Sequence, residues 1–215
     1  MQSKADFAYD FIKGKIISGE LAPLSPICEA DLQKEIGASR TPVREAILRL
    51  RDSGFIYIFP NNATLVSEIS LDLINEIYDT RFANEPFVNV EASKRVPSQY
   101  LEDLKEKFLR TFDSDLPQTH SDYLIDLDDK LHEGLLDYYP NRFIQKIMHT
   151  IFDHNLRLRR FSTQINVKEH IDIIDALLSK DEKSIRDTTV LHINESKKLT
   201  LDAYQKGYLK NIYRS

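Results

Sequence analysis

The sequence predicts a mainly α protein in two parts. A small N-terminal unit of three helices and a β-hairpin covers residues 1–69, and an all-α helical bundle covers residues 70–215. Three observations carry this. Glycine (6) and proline (8) are scarce among 215 residues, which argues against a loop-rich or all-β chain. Apolar residues recur at helical spacing through most of the sequence. Near Ser70 the texture changes from short elements to long amphipathic runs, and 215 residues suit one large domain or two modest ones.

The elements follow in order. Phe7, Phe11, Ile12 and Ile16 mark a helix over 4–18, with Gly19 as its stop. Pro23 and Pro26 make 20–26 a turn, since proline breaks a helix interior. A short helix over 29–36 closes at Gly37. Ser39 is placed as an N-cap, with Pro42 in the first turn, where a missing N–H costs nothing. Val43, Ala46, Ile47 and Leu50 then form an i, i+3, i+4, i+7 core stripe that ends before Gly54. Two β-like runs, 55–59 and 64–68, flank the turn residues Pro60-Asn61-Asn62. Further helices are expected near 71–95, 98–113, 119–139, 142–161, 167–179 and 182–205, with Ser70, Ser98 and Asp181 as N-caps. Asn166 and Glu169 have capping-box spacing.

Composition narrows the function. Hydrophobic residues are 41% and charged residues 29%, too apolar for wholesale disorder. No apolar run is long enough to span a bilayer, and the N-terminus lacks a signal-peptide plan, so a cytoplasmic location is expected. The single Cys28 excludes an internal disulfide and a multi-cysteine zinc site. The net charge of −5 argues against a structural, nucleoid-type DNA binder, which would be basic. Yet the charge is uneven: residues 1–67 are neutral, and 68–215 hold 21 basic against 26 acidic residues. Arg40 to Arg51 contains four arginines and one glutamate.

Helix, turn, helix and hairpin make a winged helix-turn-helix plan, and the helix opening at Arg40 keeps Arg40, Thr41, Arg44 and Arg49 off its core stripe. A recognition helix needs such residues, some for base edges and some for phosphates. Arginine suits the first task because its fork matches the O6/N7 pair of guanine. On spacing alone, a solvated charged face serves as well. The literal residues go further. Leu32-Gln-Lys-Glu-Ile-Gly-Ala-Ser-Arg-Thr-Pro-Val-Arg-Glu-Ala-Ile-Leu-Arg-Leu50 closely resembles the recognition-helix signature of GntR-type bacterial transcription regulators, and Ile16-Ile-Ser-Gly-Glu-Leu-Ala-Pro23 resembles that family's first-helix exit. The resemblance implies DNA contacts from Ser39, Arg40, Thr41 and Arg44. Two departures, Ala30 where relatives are often basic and Asn62-Ala63 at the wing tip, imply fewer phosphate contacts, with Asn62 left as the wing's polar candidate.

The second part carries a different chemistry. Asp128 and His132 are i and i+4 on one helix face. His170 and His192 each stand eleven residues from the turn at Asp181, so an antiparallel hairpin brings them to the same height, roughly 16 Å from the turn at 1.5 Å per residue. One carboxylate and three imidazoles suit Zn²⁺, Ni²⁺, Mn²⁺ or Fe²⁺ with positions left open. Spacing alone favours ordinary surface or core histidines over a metal site. The segments Asp128-Asp-Lys-Leu-His132 and Glu169-His-Ile-Asp-Ile-Ile-Asp-Ala-Leu-Leu-Ser-Lys-Asp181, with His192, resemble the FCD effector domain of the FadR-like branch of the GntR superfamily, in its six-helix, VanR-like form. That resemblance implies a metal held by Asp128, His132, His170 and His192. His120, His149 and His154 match none of its ligand positions and are read as surface histidines.

Arg81 and Glu85 resemble the Arg-x-x-x-Glu pair of the domain's first helix, and Arg81 is the candidate for gripping an effector carboxylate. An ordinary solvated i,i+4 pair is the alternative. Arg157, Arg159 and Arg160 are further candidates that the sequence does not rank. The expectation is a dimeric, ligand-responsive transcription regulator, a repressor on an inverted-repeat operator, carrying a divalent metal and taking a small organic acid. The rival is a metal-dependent helical enzyme with a DNA-binding appendage, against which no further acid/base motif stands beside the ligands.

Overall fold

A computed structural model describes residues 2–60, 63–112, 122–159 and 165–207. The chain divides into two compact units, the first built on residues up to Ser70 and the second on Leu71–Lys206.

In the first unit, α1 (Lys4–Ser18), α2 (Glu29–Ile36) and α3 (Arg40–Asp52) precede a hairpin of β1 (Ile56–Ile58) and β2 (Thr64–Val66). Ser3 caps α1 by accepting the Asp6 N–H, and Gly19 ends it in the left-handed region at φ 82°, which glycine enters without a Cβ clash. Gly37 ends α2 in the same way at φ 66°. Ser39 occupies the N-cap position of α3 with extended backbone, but its side chain makes no capping hydrogen bond. The stripe Val43, Ala46, Ile47 and Leu50 is buried against Ile12 and Ile16 of α1 and Phe55, Ile56 and Val66 of the hairpin. Antiparallel pairing sets Ile56 opposite Val66 and Ile58 opposite Thr64, so the paired strands are three residues each, shorter than their β-like runs.

The second unit contains α4 (Leu71–Ser93), α5 (Ser98–Phe112), α6 (Asp122–Leu136), α7 (Arg142–Arg159), α8 (Val167–Ser179) and α9 (Glu182–Gln205). Its apolar core joins Val90, Leu104, Phe108, Leu127, Leu131, Ile174, Leu177 and Ile185 from α4, α5, α6, α8 and α9. Ser98 is the first residue of α5 rather than the residue before it, a one-position shift typical of helix ends. Asn166 donates to the Glu169 carboxylate instead of capping the backbone of α8. Asp181 does cap α9, accepting from the Ser184 N–H at 2.7 Å. Helix α4 runs through Pro86, which has no N–H to give the Phe82 carbonyl. This helix buries a polar stripe, Tyr78, Arg81, Glu85 and Asn89. Tyr78 shares 2.8 Å hydrogen bonds with Ser196 and Thr200 of α9, and Asn89 donates to Thr189. Buried polar groups persist only when partnered, so these bonds lock α4 against α9. No described helix is long and apolar enough to cross a membrane.

Candidate metal centre and DNA-reading helix

In the second unit, Asp128 and His132 project from one face of α6, one turn apart. The α8–α9 hairpin brings up His170 and His192 with ring centroids 4.7 Å apart. The His132 ring lies 5.0 Å from that of His192, nearly parallel to it. All four residues are buried, and one ligand atom of each lies within 4.8 Å of the others. The structure therefore brings together the four residues that the sequence pattern selects.

Their outer partners fix which ring nitrogen faces inward. His170 Nδ1 sits 2.8 Å from the Asn166 carbonyl oxygen, which can only accept, so Nδ1 carries the proton and Nε2 keeps its lone pair. His192 Nδ1 lies 3.2 Å from the Glu169 carboxylate, and His132 Nδ1 lies 2.7 Å from Glu85 Oε1. Acceptors behind ligating histidines set their tautomer in this way. Asp128 reaches His170 Nε2 with one oxygen and Arg159 with the other. Both ring nitrogens of His132 are buried without a hydrogen bond of good geometry among the described residues, Nδ1 despite standing 2.7 Å from Glu85. An orphaned imidazole nitrogen beside two inward imidazoles and a carboxylate fits a divalent transition metal.

Electrostatics agree. Burial, and then the charge of His132, push His170 down to about 3. Burial, then His170 and His132, push His192 well below an ordinary histidine. Both rings are thus neutral, the form that binds metal. Burial alone would raise Glu85, but the charges of Arg81 and His132 hold it at about 2. Burial, then Glu133, raises Asp129 to about 7. A cavity of about 30 Å³, room for about one or two waters, opens beside Asp128, His170 and His192 and is lined also by Arg159, Glu169 and Ser196.

The arginines separate. Arg81 is 1% exposed and does not line that cavity. It donates to Glu85 through Nε at 2.7 Å and Nη2 at 3.3 Å, and to Asn155 through Nη1. Arg81 thus sits in a buried pair with Glu85 rather than on a solvated face. Arg159 lines the cavity, pairing with Asp128 and, at 3.0 Å, with Asp129. Burial, then Arg81, lowers its guanidinium to about 9. Arg157 is buried, and Arg160 lies outside the described residues. One surface expectation is corrected: His154 is 4% exposed. It stands one turn before the fully buried Leu158 on α7, a periodicity that marks it as interior. His149 is exposed as expected, and His120 lies outside the described residues.

In the first unit, Ser39, Arg40, Thr41 and Arg44 are exposed at the start of α3. Arg40 Nε stands 3.6 Å from Glu29 of α2. Arg49 is spent within the unit, donating to Asp6 at 2.8 Å and stacking 4.5 Å from the Tyr9 ring centroid. Asn62 lies outside the described residues.

Comparison with known proteins bears on both units. Residues 4–66 match the bacterial regulatory proteins of the gntR family, and residues 76–195 match the FCD domain. An uncharacterised helix-turn-helix transcriptional regulator of Bacillus subtilis, YdhC, is 24% identical over 192 residues, 86% of each chain. The transcriptional repressor RspR of Escherichia coli is 23% identical over 198 residues, 87% of this chain and 84% of its own. Among solved structures, Escherichia coli McbR/YncC superposes with a TM-score of 0.75 at 19% identity, covering 95% of this chain and all of its own.

Proposed function

This chain belongs to the gntR family of bacterial regulatory proteins and carries an FCD domain, and on that premise we propose that it is a metal-dependent, ligand-responsive repressor. It is a DNA-binding transcription regulator; its relatives are regulators and not enzymes, which sets aside the helical-enzyme alternative. The observation that carries the finer reading is the buried Asp128, His132, His170 and His192 cluster beside an arginine-lined cavity.

In this reading the four residues hold a divalent transition metal, which supplies Lewis-acid attraction for an anionic ligand. A small organic acid enters from the cavity, and Arg159 grips its carboxylate while exchanging its present hold on Asp128. The sequence pattern names Arg81 for this role, but Arg159 lines the cavity and Arg81 does not, so Arg159 is the better candidate. Ser196 lines the cavity and is hydrogen-bonded to Tyr78 near the start of α4. A ligand there competes with that bond, and α4 is the helix that follows directly on residue 70. DNA recognition falls to Ser39, Arg40, Thr41 and Arg44, with Asn62 contributing from the wing. A homodimer presents one recognition helix to each half of an inverted repeat. The exposed Ser39 side chain, released from capping, is available to a phosphate.

Footprinting on the region upstream of its own gene tests this, with and without Ni²⁺ or Zn²⁺ and a panel of sugar acids and dicarboxylates. The reading expects a protected inverted repeat that an acid releases only from metal-loaded protein. Protection indifferent to both additions would remove the metal and ligand from the function. Absence of any sequence-specific protection would remove the operator reading.

A further inference from the structure

Glu85 holds two partners with one carboxylate. Its Oε2 accepts from Arg81 Nε at 2.7 Å, and its Oε1 accepts from Arg81 Nη2 at 3.3 Å and stands 2.7 Å from His132 Nδ1, a close approach that is not aligned as a hydrogen bond. All three side chains are buried at 5% exposure or less. Arg81 is itself steadied by Asn155 and by the face of Tyr78, 5.5 Å from its ring centroid. The two other histidines of the cluster have their own acceptors, the Asn166 carbonyl and Glu169. The acceptors of His170 and His192 therefore both come from the start of α8, and only His132 faces a charge carried by α4.

We infer that Arg81 and Glu85 are positioning residues for the metal centre: Arg81 fixes Glu85, and Glu85 holds the His132 proton on Nδ1, aiming the Nε2 lone pair at the metal. A buried i,i+4 ion pair with no further task would be weak support for stability, because desolvating two charges offsets much of their attraction. Here the carboxylate has a task that needs its charge and direction. A carboxylate behind an imidazole raises its basicity and fixes its ring, and losing such a partner weakens metal binding. This rests on the metal reading above, so the test separates the two.

Calorimetric titration with Ni²⁺ compares the metal-free wild-type chain with Glu85→Gln, Arg81→Lys and Asp126→Asn. Asp126 is on the same helix as two ligands but is exposed and paired with Lys130, so it controls for loss of a nearby negative charge. Glu85→Gln should weaken Ni²⁺ binding roughly 10- to 100-fold. Arg81→Lys should weaken it in the same direction, and Asp126→Asn should leave it within about twofold, an effect the size of screened surface charges. Equal affinity in wild type and Glu85→Gln overturns the inference. So does equal weakening in all three variants, which would make the effect one of charge alone. A merely structural pair would lower the melting temperature of the variants without moving the affinity of the folded protein.

Long-range ¹H–¹⁵N correlation on the metal-free wild type reads the His132 tautomer directly. A proton on Nδ1 supports the inference, and a proton on Nε2 overturns it, whether or not the variants fold. Wild-type protein that takes up no Ni²⁺ overturns the metal reading alone, leaving that spectrum to judge the Arg81–Glu85–His132 arrangement.

Discussion

His170 and His192 meet with ring centroids 4.7 Å apart because both stand eleven residues from Asp181, which caps α9 at the turn between their helices. A cap thus sets the register that builds half of the Asp128–His132–His170–His192 cluster. Inserting or deleting one residue at Lys180 would rotate one helix by about 100° and part the rings.

The His170→Ala, His192→Ala double variant should lose metal and the stability that metal confers. Metal bound only to the folded state adds about 2.7 kcal/mol when free metal is at 100 times Kd. Elemental analysis of protein kept from chelators should find roughly one divalent metal per wild-type chain and none in the double variant. Wild-type protein without metal, unmoved in melting temperature by added Ni²⁺ or Zn²⁺, would rule the site out.

Arg44 and Arg49 should behave differently although both lie on α3. Arg44 is exposed at the helix's leading end, so Arg44→Ala should cost roughly 1–3 kcal/mol of specific operator affinity and leave the melting temperature near wild type. Arg49 ties α3 to α1 through Asp6 and Tyr9, so Arg49→Ala should lower the melting temperature of the first unit slightly. Operator affinity and thermal melts of the two variants, side by side, check the division. Equal loss of specific binding in both would return Arg49 to the DNA contacts.

Much of this was legible in the chain, because its strongest rules are local. Helix ends at Gly19, Gly37 and Asp181 follow from single residues, and the Val43–Leu50 stripe and the Asp128–His132 pair follow from the helical period. The roles of the arginines were not legible. Whether Arg81 meets solvent, ligand or Glu85 depends on what α6 and α7 place above it, and no spacing within α4 records that. Likewise Asn166 and Glu169 have capping-box spacing, yet one gives its carbonyl to His170 and the other its carboxylate to His192. For His154, absence from a ligand pattern says nothing about burial, whereas its phase with the buried Leu158 does.

Arg159→Gln should blunt the response to carboxylates of protein saturated with metal, since Arg159 lines the cavity and is not among the four candidate ligands, although it pairs with one of them, Asp128. The amide retains a donor but neither the charge nor the fork, so carboxylate binding should fall by roughly tenfold or more, the loss of a charge-assisted hydrogen bond. Thermal shifts of metal-loaded wild type and variant across a series of dicarboxylates measure it. Identical shifts in the two proteins would move the anion site elsewhere.

The stability of the metal-free protein should fall as pH drops below about 6.5, and this follows from the two buried histidines whose shifts are large. Burial, reinforced by His132, holds His170 near 3, and burial with His170 and His132 holds His192 well below its ordinary value. In the unfolded chain both titrate near 6.5. Below that pH the unfolded state binds protons that the folded state refuses, so stability fully present above 6.5 is lost as pH falls towards the folded values. Each histidine contributes a slope of up to about 1.4 kcal/mol per pH unit. Glu85, held at about 2, adds a loss of the same sign only beneath the ordinary glutamate range, near 4.5. Asp129, raised to about 7, takes up its proton in the folded state over the same window and opposes the loss, so the two histidines leave a shallower net decline between pH 6.5 and 5. Urea midpoints of chelator-treated protein should be flat from pH 8 to 7 and decline from pH 6.5 to 5. Saturating metal should move the decline to lower pH, because metal and protons compete for the same nitrogen lone pairs. The His170→Gln variant should show a shallower decline, having one fewer ring to protonate. A midpoint constant down to pH 5 in the metal-free protein would mean that these rings are not held neutral by burial.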